Sequence, residues 1–204
     1  MTELPRTGRG PERLEAFSDG VFAIAITLLV LEIRVPPVEE MRSAEELGDA
    51  LLALWPSYIG YVISFLTIGL AWINHHNLFR LIGSTSHSLL ICNLLLLLAV
   101  GFMPFPTALL AATLGKTGEQ IGVVVYAATF FATAIAFNVL WRVAKKVLRP
   151  DAPAASVAAI DRSYRLGPPV SAAALVISFL VPPLGLALIV GLVVLYLLPG
   201  STGT

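Results

Sequence analysis

Long apolar runs that are almost free of charge are the feature that most limits what this 204-residue chain can fold into. Residues 51–141 contain only three charged side chains, Arg80, Lys116 and Glu119, and none follows Arg165. Charged residues make up 13% of the chain, about half the share found in soluble domains. Because so few charges cannot cover a compact soluble fold, we predict an all-α, polytopic membrane helix bundle.

The apolar runs also predict how many helices cross the membrane. A spanning helix needs about 20 mainly apolar residues. We expect six spans within a transmembrane domain of residues 17–199. A cytoplasmic N-terminal segment, 1–16, precedes this domain, and a C-terminal tail, 200–204, follows it. Their expected positions are 17–33, 55–74, 88–110, 121–143, 170–181 and 184–198. The last two are short enough to be re-entrant instead, and are separated by Pro182-Pro183, which would break helix hydrogen bonds.

The distribution of Lys and Arg predicts the orientation, because cytoplasmic loops carry an excess of them. With both termini in the cytoplasm, ten of the thirteen basic residues fall on the inner side and three on the outer side. The outer three are Arg34, Arg42 and Lys116, in loops that also carry an acidic segment. Within the acidic segment, Ser43 and Glu46 predict the N-terminus of a short helix. The acidic residues either raise the cation concentration at the outer surface or simply belong to a solvated loop helix.

Polar residues within the predicted spans gather near the cytoplasmic interface. They are Ser18, Asp19, Asn74, His75, His76, Asn77, His87, Asn93 and Asn138. Asp19 cannot pair with Arg13 on its own helix, since six residues turn a helix by about 600°. We therefore expect it to pair with His75 or His76 on the second span. Such a layer is either a proton-sensitive latch or a structural staple between helices, and the latter is the commoner role.

Several functional classes are disfavoured. Zero net charge argues against nucleic-acid partners, and no serine, cysteine or paired-carboxylate arrangement indicates an enzyme. His75 and His76 are adjacent on a helix and diverge by about 100°, so we expect no metal site. The basic run Arg142, Lys145, Lys146 and Arg149 follows the fourth span, where anchoring or contact with anionic lipid is expected rather than voltage sensing.

A helical wheel divides the first span into two faces. One stripe carries Gly20, Ile24, Thr27, Leu28 and Leu31, while Asp19, Phe22, Ile26 and Val30 lie on the reverse side. An apolar stripe of this kind more often packs against protein or lipid than lines a pore. The wheel therefore permits a pore lining without requiring one.

The same segment resembles a known family. Residues 13–33, RLEAFSDGVFAIAITLLVLEI, are similar to the R-x-x-x-F-S-D signature and first helix of the transmembrane protein 175 family, which are potassium channels. Residues 72–77, WINHHN, resemble the end of that family's second helix. The last two spans match the family only in hydropathy. Animal members carry two six-helix repeats and bacterial relatives are shorter; only one R-x-x-x-F-S-D is present here.

This resemblance implies a homotetrameric, potassium-selective cation channel in the plasma membrane of a prokaryote, with no cofactor other than the permeant ion. The first helices would line a central pore whose apolar constriction corresponds to Ile24, Leu28 and Leu31, with Thr27 as a pore-facing hydroxyl. The resemblance also implies an interhelical polar network near the cytoplasmic end, whose matching residues are Arg13, Phe17, Ser18, Asp19, Trp72, His75, His76 and Asn77.

Two other functional classes remain open at this point. A secondary cation transporter or proton-coupled exchanger would use Asp19 with His75 and His76 as a proton relay, although transporters usually hold charges at the membrane midplane. A membrane scaffold would transport nothing. No T-V-G-Y-G loop is present, so carbonyl rings cannot replace an ion's hydration shell as they do in other potassium channels.

Overall fold

The computed structural model describes residues 10–197, and these form eight α-helices joined by short loops, without strands. The helices are α1 Glu12–Leu28, α2 Ala44–Ala53, α3 Trp55–Phe79, α4 His87–Phe102, α5 Pro104–Thr113, α6 Glu119–Ala144, α7 Ala154–Leu180 and α8 Pro182–Leu197. A 3₁₀ turn, Leu29–Glu32, continues α1, and another, Val38–Glu40, precedes α2. The all-helical class predicted from the sequence is confirmed.

Within residues 10–197, four stretches are long and apolar enough to cross a membrane: Glu12–Glu32, Trp55–Phe79, His87–Thr113 and Glu119–Ala144. The last three contain the predicted spans 55–74, 88–110 and 121–143, and the first covers the predicted span 17–33 except residue 33. The first begins five residues before the expected position, because Glu12 and Glu15 favour a helix N-terminus. The third is broken at Met103, where Pro104 opens α5 and supplies no backbone N–H.

The acidic loop helix follows its sequence signal. Ser43 caps α2 by accepting a hydrogen bond from the Glu46 backbone N–H (3.2 Å). The Glu46 carboxylate in turn accepts from the Arg42 backbone N–H at 2.7 Å. These two bonds satisfy donors at the start of the helix that would otherwise lack partners.

The carboxy-terminal tract differs most from expectation. The break between two helices does lie at Pro182, as predicted, but α7 begins at Ala154 and not at residue 170. The sequence argument placed the helix start after Pro168-Pro169, whereas α7 runs straight through both prolines. The first half of α7 carries Asp161, Arg162 and Arg165, and only its second half is free of charge. Residue 198, the expected end of the last span, lies outside the described residues.

A side chain from α6 explains how α7 tolerates Pro168. A proline at this position cannot donate to the carbonyl four residues earlier, which belongs to Tyr164. That carbonyl instead accepts a hydrogen bond from Asn138 Nδ2 at 2.7 Å. A buried carbonyl without a partner would cost about 1–3 kcal/mol, so Asn138 removes most of the penalty that Pro168 would otherwise impose.

Gln120 performs the same task at the other end of α6. Its Nε2 donates to the carbonyl of Phe179, one of the last carbonyls of α7, beyond which Pro182 and Pro183 offer no N–H groups. Gln120 and Asn138 are separated by about five full helical turns and therefore lie on one face of α6. Two amides on one face thus satisfy backbone groups at both ends of the apolar half of α7.

The charged and polar ends of several helices meet at one end of the bundle. The loop after α3 and the loop after α6 pair through two backbone hydrogen bonds, Gly83 N–H to Val147 O and Arg149 N–H to Leu81 O, each 2.9 Å long. Glu15, near the start of α1, meets His76, near the end of α3. We call this the inner end, because it holds most of the described basic residues.

The interior also contains a cluster of hydroxyl groups that the sequence analysis did not identify. Ser64 Oγ lies 2.6 Å from Thr107 Oγ1 and 3.1 Å from the Tyr126 hydroxyl, which is 3.4 Å from Thr67 Oγ1. All four side chains are buried. They join α3, α5 and α6, and so hold the short helix α5 beside the 3₁₀ turn that ends α1.

We predict that Asn138→Leu destabilises the protein by about 1–3 kcal/mol, because the Tyr164 carbonyl loses its donor. In a Pro168→Ala background the same substitution should cost clearly less, since the introduced alanine supplies the missing backbone N–H. The measurement is a double-mutant cycle of unfolding in detergent. Equal costs in the two backgrounds would show that Asn138 does not compensate for the proline.

Candidate functional site

The first helix buries one face in its own chain and leaves the other uncovered. Its buried side chains are Ser18, Phe22, Ala25 and Leu29. The uncovered stripe comprises Phe17, Gly20, Ile24, Thr27, Leu28 and Leu31, the same stripe that the helical wheel separates. Only 22% of the most apolar stretch of this helix is buried, compared with 39% in each of the other three long apolar stretches.

Three large apolar side chains dominate the uncovered stripe. Ile24 is 61% exposed, Leu28 42% and Leu31 70%. The helix tightens to 3₁₀ geometry from Leu29 onward, and in that geometry residues three apart are eclipsed. Leu31 therefore stands almost directly beyond Leu28 along the helix. The result is a row of aliphatic side chains that the described part of the same chain covers only in part.

Thr27 is the polar residue within this row. Its hydroxyl lies 2.9 Å from the Ala23 carbonyl and 3.0 Å from the Ile24 carbonyl, so the hydroxyl donates to its own helix backbone. The hydroxyl lone pairs remain available on the exposed side. Thr27 can therefore offer an oxygen acceptor to water or to a cation next to Ile24 and Leu28.

Behind the stripe, three buried polar residues form a chain of hydrogen bonds across α1, α3 and α4. His75 Nε2 lies 2.9 Å from Asn93 Oδ1, and Asn93 Nδ2 donates to Ser18 Oγ at 2.9 Å. Ser18 in turn donates to the Leu14 carbonyl at 2.8 Å. Because an amide oxygen only accepts, His75 Nε2 carries the hydrogen in this arrangement. These hydrogen bonds fix the rotation of α1 about its own axis.

Aromatic rings enclose His75. The His75 ring stacks on Phe79 with 4.1 Å between centroids, and Phe22 lies 5.3 Å away. His75 Nδ1 is buried and has no hydrogen-bond partner among residues 10–197. Apolar packing on both sides and a single polar contact are typical of a side chain that locks helices together.

The partner of Asp19 differs from the expected histidine. The Asp19 carboxylate accepts a hydrogen bond from Trp72 Nε1 at 2.8 Å, and His76 Nδ1 pairs with Glu15 Oε1 at 3.1 Å. The Trp72 and His76 rings stack at 5.9 Å. The prediction of an Asp19–histidine pair is wrong, because residues 72 and 76 share one face of α3 and the indole N–H reaches the carboxylate first.

Some residues expected in this network take no part in its hydrogen bonds. Within residues 10–197, neither Arg13 nor Asn77 forms a side-chain hydrogen bond or ion pair, and Arg13 is exposed. Phe17 is also exposed and lies on the uncovered stripe. Glu15 was missed in the sequence, although its spacing of four residues from Asp19 places both acids on the α3 side of the helix.

A second polar cluster links α6 to the charged half of α7. Asp161 Oδ1 accepts from Lys145 Nζ (2.7 Å) and from Trp141 Nε1 (3.0 Å), and Asp161 Oδ2 accepts from Arg165 Nη2 (2.6 Å). Three hydrogen bonds hold the pKa of Asp161 well below its usual range. The bond from Lys145 has the largest effect, followed by those from Trp141 and Arg165. The carboxylate therefore stays ionised and fixes both basic side chains.

Comparison with known proteins places this arrangement in a family. The sequence profile of the family described as "Endosomal/lysosomal potassium channel TMEM175" matches residues 13–104. A potassium channel of Chamaesiphon minutus is 45% identical over 185 residues, which cover 88% of this chain and 89% of that protein. A potassium channel of Streptomyces collinus is 47% identical over 130 residues, covering 63% of this chain and 62% of the relative.

Longer relatives and a solved structure agree with these matches. The human protein named "Endosomal/lysosomal proton channel TMEM175" is 41% identical over 98 residues, 46% of this chain but 19% of that protein. The crystal structure of a lysosomal potassium-selective channel TMEM175 homolog from Chamaesiphon minutus superposes with a TM-score of 0.80 at 43% identity. The match covers 91% of this chain and 95% of the solved one. The chain belongs to the TMEM175 family of ion channels and is not an enzyme.

Proposed function

We propose that this protein is a homotetrameric, potassium-selective cation channel whose pore is lined by α1. The uncovered stripe of Ile24, Leu28 and Leu31 is the observation that carries this proposal. Its residues face away from their own chain, while the opposite face of α1 is fixed by buried contacts. The bacterial relatives named above are potassium channels, and the family membership supports transfer of that function to this chain.

The geometry supports an assembly of several copies, and the number of repeats supports four. One uncovered helix face cannot enclose a conduit, so several copies of α1 must surround a common axis. The chain carries a single R-x-x-x-F-S-D motif, whereas the resemblance implies two repeats per chain in animal members. Four identical chains would therefore supply the same number of pore helices as two animal chains.

An apolar ring can favour potassium without coordinating it. An ion that passes Ile24, Leu28 and Leu31 must shed part of its hydration shell, and potassium loses water at lower cost than sodium. Thr27 offers one hydroxyl oxygen per chain beside this ring, which partly replaces the lost water. Such a constriction also closes by dewetting. We expect moderate selectivity, and no cofactor beyond the permeant ion.

We further propose the orientation and the location of the channel. The inner end faces the cytoplasm, so both termini lie inside, and residues 17–199 form a six-span channel domain between the segments 1–16 and 200–204. The excess of basic residues at the inner end supports this orientation. The apolar second half of α7 and the helix α8 complete the six spans. The bacterial relatives support the plasma membrane of a prokaryote as its site.

The polar network around α1 is proposed to be a structural staple. Ser18, Asn93 and His75 hold α1 in the rotation that presents Ile24 to the axis, and Asp19 with Trp72 adds a second link. We assign Arg13, Phe17 and Asn77 to the same inner region. In the tetramer they would contact neighbouring chains, since Arg13 and Asn77 lack polar partners within the described part of this chain and Phe17 is exposed there.

Proton permeation is the second candidate function. The vertebrate relatives are named as proton channels, and a narrow hydrated ring that passes potassium can also pass protons through water. A proton-coupled exchanger is less well supported. Its relay would need Asp19 and the histidines in sequence, yet Asp19 meets the indole of Trp72, which does not titrate, and His75 and His76 turn to different partners.

We predict that Ile24→Asn raises single-channel conductance severalfold and reduces the preference for potassium over sodium, because an amide wets the constriction. The measurement is planar-bilayer recording of purified protein, with reversal potentials in mixed potassium and sodium solutions. A pH gradient applied in the same recordings reports proton permeation as a shift of the reversal potential.

The control for this variant is Val30→Asn. Val30 is 50% exposed, and lies about 120° around the helix from Ile24. The Val30→Asn substitution should leave conductance and selectivity close to those of the natural protein. Equal effects of the two substitutions, or no effect of Ile24→Asn, would show that Ile24 does not line the pore. Saturating flux without unitary currents would favour a carrier.

We also predict that Asn93→Leu impairs tetramer assembly and lowers thermal stability, since His75 Nε2 and Ser18 both lose a buried partner, at about 1–3 kcal/mol. Asn74→Leu is the matched control on the same helix as His75: within residues 10–197 the Asn74 backbone carbonyl accepts from Tyr164 but its side-chain amide has no partner, so loss of that amide should change little. Size-exclusion chromatography and thermal unfolding in detergent provide the readouts. If the Asn93 variant assembled normally but its currents responded differently to pH, the network would be a latch and not a staple.

A further inference from the structure

A groove lies where the end of α6 meets the charged half of α7. It is lined by Lys145, Ala154, Val157, Ala158, Asp161, Arg162, Arg165 and Leu166, and has a volume of about 690 Å³. We call it the basic groove. α1 packs on α3 and α4, so the basic groove is built on elements other than the pore helix and its immediate neighbours.

The basic groove holds three cationic side chains that one carboxylate only partly neutralises. Asp161 takes one donor each from Lys145 and Arg165, and a third from Trp141. Lysine has three donors and arginine five, so most donors of Lys145 and Arg165 remain available. Arg162 is exposed and has no ion pair or hydrogen bond among residues 10–197. Asp161 thus orders two cations while the groove keeps a positive charge.

The position of the basic groove along α7 is that of a membrane boundary. Arg165 is the last charged residue of the sequence, and the apolar half of α7 begins at the next position. Leu166 lines the groove and is 54% exposed. One end of the groove is therefore cationic and the other is open to the apolar layer.

We propose that the basic groove binds the phosphate head group of an anionic phospholipid, such as phosphatidylglycerol, from the inner leaflet. Lys145, Arg162 and Arg165 donate hydrogen bonds to the phosphate, a strong pairing because both partners are charged. Leu166 and Val157 contact the glycerol and the first part of the acyl chains. The continuity of the cationic end with an exposed leucine favours a lipid over a soluble phosphate. This site is independent of the proposed pore.

The test is native mass spectrometry of the full-length channel in detergent, titrated with phosphatidylglycerol or with phosphatidylcholine. Arg162→Gln should reduce the apparent affinity for phosphatidylglycerol by at least about tenfold, because charge-assisted hydrogen bonds to the phosphate are lost. Phosphatidylcholine carries a choline cation that offsets its phosphate charge, so its affinity should be lower from the start and should fall less in the variant. Arg162 is exposed and unpaired in the described part of the chain, so its substitution leaves the folded contacts intact.

Arg142→Gln is the matched control. Arg142 is exposed at the same end of α6 and its substitution removes the same charge, but it does not line the basic groove. Arg142→Gln should lower the affinity for phosphatidylglycerol by at most about fivefold, the effect of one basic residue near an anionic lipid surface. Equal losses in the two variants would mean general surface attraction, and no loss in Arg162→Gln would mean no site; either result overturns the proposal.

A competition experiment separates lipid from small phosphates. Soluble glycerol 3-phosphate, in about 100-fold excess over phosphatidylglycerol, should fail to displace the lipid, because it lacks the acyl chains that contact Leu166. Displacement would show that the head group alone accounts for binding and that the groove is a site for soluble phosphates.

Discussion

The rotation of α1 about its own axis is the constraint on which the rest of the structure depends. Ser18 is tied to Asn93, and Asn93 to His75, so one side of α1 is fixed against α3 and α4. A helix fixed on one side presents its other side to whatever lies outside the chain. The aliphatic row of Ile24, Leu28 and Leu31 is uncovered for this reason. Buried polar contacts and exposed apolar residues are thus two consequences of one orientation.

The carboxy-terminal half depends on a different interaction. Prolines in α7 and at the start of α8 remove backbone donors that a membrane cannot replace, because lipid offers no hydrogen bonds. Asn138 and Gln120 supply donors from one face of α6. The neighbouring helix therefore compensates for prolines that would otherwise break α7, and the long tract packs as a hairpin against α6.

The sequence predicted the features that depend on local chemistry. Apolar run length gave the four long stretches, Ser43 and Glu46 gave the start of α2, and the wheel separated the two faces of α1. The course of α7 through Pro168 could not be predicted, because it depends on Asn138, which lies 26 positions before Tyr164 and reaches the Tyr164 carbonyl only after folding. The same holds for Asp19: the sequence shows its depth, but only packing decides between an indole and an imidazole on one face of α3. The cluster of Ser64, Thr107 and Tyr126 could not be predicted either, because these residues form no periodic pattern in the sequence.

Cysteine accessibility tests the central claim, that the uncovered stripe of α1 faces an aqueous conduit. In a Cys92→Ser background, which removes the sole native cysteine, Leu28→Cys channels are recorded while a charged methanethiosulfonate reagent is applied. If α1 lines the pore, the reagent reduces the current of Leu28→Cys channels but not that of Val30→Cys channels. Unaffected currents at Leu28→Cys, or equal block at both positions, would contradict the account.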